Sequence, residues 1–373
     1  MAKGPGTMES LVMNTQFWQG KRVFLTGQTG FKGGWLSLWL QQLGATLTGY
    51  ALPPPTQPNL YEAARVGAGM NSVIGDIRDP FALAQIMQEA EPEIVFHLAA
   101  QPLVLRSYED PVETYSTNVM GTVHLLEAIR KCPSVRAVIN VTTDKCYENK
   151  EWVWAYREDE RLGGYDPYSN SKGCSEMVTS AYRNSFFNPN TYIRHGVALA
   201  SARAGNVIGG GDWSKDRLIP DTITAFMNGK SVTLRNPLSI RPWQHVLEPL
   251  RGYLTLAENL FISGTKFAEA FNFGPRSEDA KPVQTIVDKL SELWGEGSSW
   301  QIAGVEHLHE ANFLKLDTAK AAQMLNWRPQ LNIDQALQLT VDWSKGYQQG
   351  LDMHALTKAQ IYEYQTNFKS IAN

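Results

Sequence analysis

From residue 22 onward, short apolar runs closed by glycine, proline or a polar cluster alternate with longer segments of mixed polarity. Arg22-Val-Phe-Leu-Thr26 reads as a first strand ending at Gly27. Trp35, Leu36, Leu38, Trp39, Leu40 and Leu43 make the next segment a largely buried helix, which Gly44 closes. Ala45 to Tyr50 is a second strand, stopped by Pro53-Pro54-Pro55, and Asn71-Ser-Val-Ile-Gly75 is a third. A helix beginning near Pro80 leads to a fourth strand, Glu93-Ile-Val-Phe-His-Leu98. A long helix from about Pro111 to Lys131 precedes the fifth, Val135 to Val141. A helix carrying Tyr168 and Lys172 then leads to the sixth, Val197 to Arg203.

Short apolar strands alternating with helices predict a parallel sheet covered on both faces. The expected fold class is α/β, a Rossmann-like doubly wound parallel sheet with a smaller α/β C-terminal substrate lobe. Beyond Gly205 the alternation weakens. Glycine-rich loops, a helix near Pro220–Asn228, a strand over Ser231–Arg235 and Phe271-Asn-Phe-Gly274 suggest the smaller lobe. The expected divisions are a flexible leader over 1–19, the Rossmann-like domain over 20–204, the lobe with chain crossovers over 205–350, and a tail over 351–373. In such a sheet the ligand cleft lies beyond the carboxyl ends of the strands, where every chemical candidate below falls.

The chain of 373 residues is 43% hydrophobic, enough for a large core. A formal charge of -3 gives no electrostatic case for nucleic acid or an anionic membrane. Cys132, Cys146 and Cys174 have no disulfide or zinc pattern, and the histidines lack metal-ligand spacing. No apolar run has the length of a bilayer span, and the start lacks a basic region followed by an apolar core. The expectation is a soluble cytoplasmic protein without a metal, its Met1–Met8 opening a leader outside the fold.

Gly27-Gln-Thr-Gly30-Phe-Lys-Gly33 follows the first strand and opens a helix. Such glycines allow a tight turn and close approach of a pyrophosphate, whose charge faces the helix N-terminus. The expected cofactor residues there are Gly27, Gly30, Phe31, Lys32 and Gly33. The second strand ends in Tyr50-Ala-Leu52 rather than an acid for the ribose, and no Lys or Arg lies between Lys32 and Arg65. That favours NAD and leaves NADP open. Asp76-Ile77 can accept from an adenine amine or lead into a helix cap at Asp79-Pro80. Leu98-Ala99-Ala100 offers small residues where a nicotinamide ribose can pass, or a packing seam.

Tyr168-Ser-Asn-Ser-Lys172 places phenol and ammonium one turn apart on one helix face. A fixed cation beside the phenol favours phenolate, so Tyr168 is a candidate base for a hydroxyl proton. Thr143-Asp144-Lys145 offers a hydroxyl, a carboxylic acid and an amine after an apolar run. Together the two segments suggest oxidation of an alcohol followed by acid-assisted elimination of water.

The chain resembles the extended short-chain dehydrogenases/reductases. The resemblance rests on Thr26-Gly27-x-x-Gly30-Phe31-x-Gly33, His97-Leu-Ala-Ala100, Asn118 in Thr117-Asn-Val-Met-Gly121, Tyr168-x-x-x-Lys172 and Lys320–Pro329. It runs from about residue 20 to about residue 345. Within that family Thr143-Asp144-Lys145 is similar to the Thr-Asp-Glu of nucleotide-sugar 4,6-dehydratases, with lysine in place of glutamate. Asp144-Lys-Cys-Tyr147, Glu151-Trp-Val-Trp154, Arg203–Trp213 and Arg241-Pro-Trp-Gln-His245 resemble the branch acting on CDP-glucose.

The resemblance implies that Tyr168 takes the proton of the sugar 4-hydroxyl, that Lys172 also holds the nicotinamide ribose and that Thr143 orients the same oxygen. It implies Asp144 as the acid for the 6-hydroxyl and Lys145 as a group at carbon 5, base or enolate stabiliser. Asn206, Arg217, Arg241 and Arg276 fall where the family holds the sugar nucleotide. A homodimer through the helices after Pro111 and around Tyr168 is expected, with CDP-glucose or a related nucleotide-sugar as substrate. A 4-epimerase, a dehydratase for another nucleotide, and a silent dinucleotide sensor are the competing readings. Trp152 and Trp154 are expected to pack the second lobe, with a lid as the alternative.

Overall fold

The computed structural model of the chain describes residues 15–234, 236–296, 298–302 and 314–371. Strand β1 (Arg22–Thr26) leads through α1 (Phe31–Gln42) to β2 (Thr46–Ala51), β3 (Asn71–Ile74), α2 (Pro80–Ala90) and β4 (Ile94–His97). Helices α3 (Pro111–Tyr115) and α4 (Gly121–Arg130) precede β5 (Ala137–Val141), and α5 (Pro167–Ser185) precedes β6 (Ala198–Arg203). A later strand, β7 (Ala270–Asn272), pairs with β6 and completes a seven-stranded sheet of order β7-β6-β5-β4-β1-β2-β3. Every pairing in it is parallel. The chain starts in the middle, winds outward to β3 and returns to β4 on the other side of β1. That reversal opens the crevice in which such sheets bind ligands.

Period-two side-chain alternation divides each central strand between two cores. Val23 and Leu25, Ile94 and Phe96, and Ala137 and Ile139 face one core, together with Trp35, Trp39 and Leu40 of α1. Phe24, Val95, Val138 and Leu199 face the other, with Leu83 and Met87 of α2 and Leu125, Leu126 and Ile129 of α4. Because both faces are covered, the strands are apolar at consecutive positions.

After β6, α6 (Leu218–Met227) belongs to a separate small core with Val232, Leu234, Ile286 and Leu290. Helix α7 (Leu247–Ser263) returns to the main sheet and is buried along most of its length. Helix α8 (Ile333–Gln348) joins both parts: Ile333, Leu337 and Val341 enter the small core, and Trp343 enters the large one.

Four sequence expectations change. Phe271-Asn-Phe-Gly274 contributes a strand to the main sheet, not to the small lobe; its apolar run is too short to reveal which sheet it joins. The long helix after Pro111 contains a π-turn at Ser116–Met120, which holds Asn118. The described residues after Leu351 do more than trail off as the expected tail. They form α9 (Met353–Ile371), whose Tyr364 meets Trp39 of α1 edge to face at 5.7 Å. At the other end, the expected leader reaches Trp18, yet Trp18 is fully buried and donates its indole N–H to Glu258. The Met1–Met8 opening and Arg235 lie outside the described residues. Among the described residues no helix is long and apolar enough to cross a membrane, and no cluster of potential metal ligands occurs.

Candidate active site

The glycine turn is closed too tightly for any other residue. A Cβ on Gly33 would lie 2.0 Å from the Gly27 carbonyl oxygen, and one on Gly27, at φ +85°, would lie 2.8 Å from the Ala99 nitrogen. Gly30 donates its amide to Gly27 O at 3.1 Å, and Gly34 donates to Gly30 O at 2.8 Å, so the turn runs directly into α1. The Thr26 hydroxyl accepts from the amides of Leu98 and Ala99, each at 3.1 Å, holding the end of β4 against the turn. A cradle of this shape, open only to backbone and opposite Leu98-Ala99-Ala100, fits a dinucleotide pyrophosphate at a helix N-terminus. Phe31 is half-buried there and packs towards Gly209.

At the end of β3, the Asp76 carboxylate is already taken by Arg78, through the backbone amide and both arms of the guanidinium at 2.6–3.0 Å. Those hydrogen bonds hold its carboxyl below the usual range. The helix cap belongs to Asp79, which accepts from Phe81 and Ala82. Ile77 is buried in the second core, and its carbonyl meets His124. Arg78 was not among the sequence candidates.

On the far side of the crevice, Asp166 caps α5 by accepting from the Ser169 amide at 2.9 Å, with Pro167 in the first turn. Helix α5 is then keyed to the sheet by polar side chains on its inner face. Asn118 donates to Ser171 at 2.8 Å, while Asn140 donates to Ser175 at 3.0 Å and Thr179 at 2.7 Å. These bonds fix the rotation of the helix and turn Tyr168 and Lys172 towards the ends of β4 and β5.

Thr143, Asp144, Tyr168 and Lys172 are all buried. The Thr143 hydroxyl donates to Asp144 Oδ1 at 2.9 Å and also meets the Tyr168 phenol. One hydroxyl proton thus stands between a carboxylate and a phenol. Asp144 Oδ2 is buried with no hydrogen-bond partner among the described residues. Gly205 makes room for it, since a Cβ there would come within 1.8 Å of that oxygen. A polar atom buried without a partner is costly, and this carboxyl oxygen suits a substrate hydroxyl.

The charges differ from the sequence expectation in one respect. Lys172 Nζ donates to the Val141 carbonyl at 3.3 Å, and burial pushes the Tyr168 phenol up to about 12. The Thr143 hydrogen bond and the Arg217 charge pull it only part of the way back. Desolvation therefore outweighs the nearby cation here, and phenolate is not favoured by Lys172 alone. Burial also lowers Lys172, to about 8, against the opposing Glu176 charge. Lys32, half-buried at the glycine turn, is lowered to about 7, first by burial, then by Lys172 and Arg217, with Asp144 opposing. Lys32 thus brings a positive charge from the glycine turn into the field of Asp144 and Lys172.

Lys145 follows Asp144 but is exposed, so the burial that would suit an amine base is missing. Arg217 caps α6 and pairs with Asp212 at 3.4 Å, within reach of the Tyr168 and Lys32 fields. Asn206, at φ 43°, follows Gly205 beside the acid, and Arg241 is half-buried in the short strand Ile240–Pro242. Arg276 is exposed and donates to the carbonyls of Pro329 and Gln330 at 3.5 and 3.4 Å. Trp152 and Trp154 do not pack the second lobe: both are exposed, with Trp152 stacked on Tyr156 at 5.9 Å. Sequence reasoning missed Gly205, Glu176 and Tyr147, whose partners lie far away along the chain.

The family profile described as GDP-mannose 4,6 dehydratase matches residues 24–340. A CDP-glucose 4,6-dehydratase of Salmonella typhimurium is 59% identical over 353 residues, covering 95% of this chain and 98% of that protein. A dTDP-glucose 4,6-dehydratase of Xanthomonas campestris pv. campestris is 27% identical over 337 residues, 86% of this chain and 92% of its own. Among solved structures, UDP-glucose 4-epimerase from Brucella ovis in complex with NAD superposes with a TM-score of 0.74 at 22% identity. It covers 87% of this chain and 98% of its own length. dTDP-glucose 4,6-dehydratase from Bacillus anthracis in complex with NAD gives 0.71 at 22% identity, over 89% and 99%. At that identity the two structures speak for the fold.

Proposed function

The chain belongs to the GDP-mannose 4,6 dehydratase family, and from that premise we propose that it is an NAD-dependent CDP-glucose 4,6-dehydratase. It oxidises carbon 4 of CDP-D-glucose, removes water across carbons 5 and 6, and releases CDP-4-keto-6-deoxy-D-glucose. The 59% identity to a CDP-glucose 4,6-dehydratase along nearly the whole of both chains supports the substrate. The observation that carries the chemistry is a buried acid with an unpartnered oxygen, hydrogen-bonded through Thr143 towards Tyr168. An epimerase needs the tyrosine and the lysine but has no use for that acid.

A bound NAD supplies the acceptor for hydride from carbon 4 and its donor to carbon 6. The glycine turn, Leu98-Ala99-Ala100 and the Lys172 ammonium would hold it, with Asp76, already paired with Arg78, as the acceptor for an adenine amine. Tyr168 Oη removes the proton of the 4-hydroxyl, while Thr143 orients that oxygen; the Lys172 ammonium joins the Thr143 hydrogen bond and the Arg217 charge in working against the burial that disfavours phenolate. Asp144 Oδ2 gives its proton to the departing 6-hydroxyl. Lys145 acts at carbon 5 from an exposed position, which favours stabilising the enolate while water takes the carbon-5 proton. Asn206, Arg217 and Arg241 anchor the nucleotide diphosphate; Arg276 serves the same substrate only if it leaves its carbonyl partners.

The protein works as a homodimer in the cytoplasm. The dimer is supported by Val112, Tyr115 and Met120 on the α3–α4 stretch and Met177 on α5, large apolar side chains exposed on neighbouring helices. Three free cysteines suit a reducing compartment. The test is incubation with CDP-glucose beside UDP- and dTDP-glucose. A base-labile 4-keto-6-deoxy product from CDP-glucose is expected, and a 4-epimer or no conversion would overturn the assignment.

A further inference from the structure

Arg203 and Glu176 form an ion pair at 2.9 Å with side chains only 4% and 3% exposed. Both arms are used: Arg203 Nε donates to Glu176 Oε1 and Nη2 to Oε2, each at 2.9 Å. Its remaining nitrogen, Nη1, donates to the Tyr147 hydroxyl at 2.7 Å and the Glu158 carbonyl at 2.9 Å. The Tyr147 hydroxyl donates to Asn272 Oδ1 at 2.7 Å, and Thr142 donates to Glu176. One buried pair therefore joins α5, β6, β7 and both ends of the segment that bears Thr143 and Asp144.

A buried ion pair is weak support for stability, because apolar residues of the same volume often do as well. Its position is more telling. Glu176 lies one turn beyond Lys172 on the same helix face, and Tyr147 begins three residues after Asp144. We propose that Glu176 and Arg203 are positioning residues: through Lys172 they preserve the ammonium beside Tyr168, and through Tyr147 they seat the segment carrying Asp144.

Lys172 is faced by Lys32 from α1, His97 from β4, Cys146 from the turn after β5, and Tyr168 and Glu176 from α5. His97 is neutral, held down to about 3 by burial, and the buried Cys146 thiol is raised. Glu176 is accordingly the anion that opposes desolvation of Lys172 at neutral pH. The inference rests on the dehydratase reading for the role of Lys172, but its direct readout does not require turnover.

The experiment is trace acetylation of Lys172 with acetic anhydride across pH, read by peptide mass spectrometry, beside the pH profile of kcat/KM with CDP-glucose. In Glu176→Gln the titration of Lys172 and the alkaline limb of activity both move down by roughly one to two pH units. Glu176→Asp restores them, and Tyr147→Phe lowers kcat without moving either. Glu176→Met/Arg203→Met, which does not leave Arg203 buried without its anion, also shows a downward shift in a folded protein. An unmoved Lys172 titration in either Glu176→Gln or the double variant, or an equal shift in Tyr147→Phe, overturns the proposal. An inactive wild-type enzyme with the expected acetylation shifts would instead overturn the substrate assignment alone.

Discussion

At the scale of single residues, the site separates one proton relay from a group of cations. In the proposed mechanism Asp144 acts only after carbon 4 has been oxidised. In Asp144→Asn, turnover of CDP-glucose should fall by about 10²–10⁴-fold, while fluorescence of reduced nicotinamide appears on mixing and persists. Loss of both signals together would assign Asp144 to the oxidation step. Lys145 has a different test: in Lys145→Met, exchange of the carbon-5 hydrogen with solvent should slow at least about tenfold, and undiminished exchange would move that role elsewhere. Lys32 and Lys172 carry a stability consequence. Both are lowered from 10.5, to about 7 and about 8, so the unfolded chain binds more protons than the folded one between those values and 10.5. Their contribution to stability therefore rises with pH across that window and is lost as pH falls through about 8 and then 7. Cofactor-free Lys32→Met should resist urea better than wild type at about pH 7, and the advantage should shrink towards about pH 10; equal midpoints at both would remove Lys32 from the repelling group. These pairings explain what was readable beforehand. Tyr168 with Lys172, and Thr143 with Asp144, are neighbours within a helical turn or a dipeptide, so spacing alone exposes them. Glu176 with Arg203, Asp144 with Gly205, and Lys32 with Lys172 exist only once the strands are side by side, and desolvation of Tyr168 has no signature in its neighbours.

At the scale of elements, legibility follows burial on both faces. Strands β1, β4, β5 and β6 lie in covered sheet and read as mostly apolar runs, whereas β2 and the partly exposed edge strand β3 are marked more by the glycine, proline and polar residues around them; all six lie within a residue or two of their expected places. Strand β7 has only Ala270–Asn272, and its partner β6 is far away in sequence, so nothing local announces the pairing. The π-turn around Asn118 was hidden for another reason. Its residues have ordinary helical character, and the bulge is held from outside by Asn118, which accepts from Gln101 N at 2.8 Å and donates to Ser171. π-turns inside helices often accompany functional sites, and this one steadies the helix that presents Tyr168. The glycine turn is the element whose geometry is least forgiving. Gly33→Ala adds one methyl group but must displace the Gly27 carbonyl, 2.0 Å from the new carbon. The variant should fold yet retain less than about a tenth of the wild-type NAD after gel filtration, measured from the nucleotide released on denaturation. Retention near wild type would mean that the cofactor does not need this turn closed.

At the scale of the whole molecule, the phosphate turn is supported from behind by the end of the chain. Helix α1 begins at the turn, and its Trp39 meets Tyr364 of α9. Met353, Ile361 and Tyr364 of α9 are buried, with spacing that returns them to one helical face. Trp343 of α8 donates its indole N–H to Thr357 of α9 at 2.9 Å and packs where a Cβ on Gly210 would lie 2.0 Å from its ring. Trp35 of α1 donates to the Gly210 carbonyl at 2.9 Å, which closes a circuit of glycine helix, post-β6 loop, α8 and α9. Truncation before Met353 would uncover Trp39 and Trp343 and leave the Trp343 N–H without its partner. Removing buried aromatic packing and a buried hydrogen bond costs about 3–6 kcal/mol. The truncated enzyme should therefore unfold at markedly lower urea and lose NAD more readily, although it keeps every residue assigned to chemistry. The same truncation offers a distinction. If α9 acts through α1, a given concentration of NAD should stabilise the truncated protein less than wild type, because part of the binding energy is spent on re-ordering the helix that α9 braced. A truncated protein stabilised by NAD as much as wild type would show that α9 braces the large core alone, with no energetic connection to the cofactor cradle.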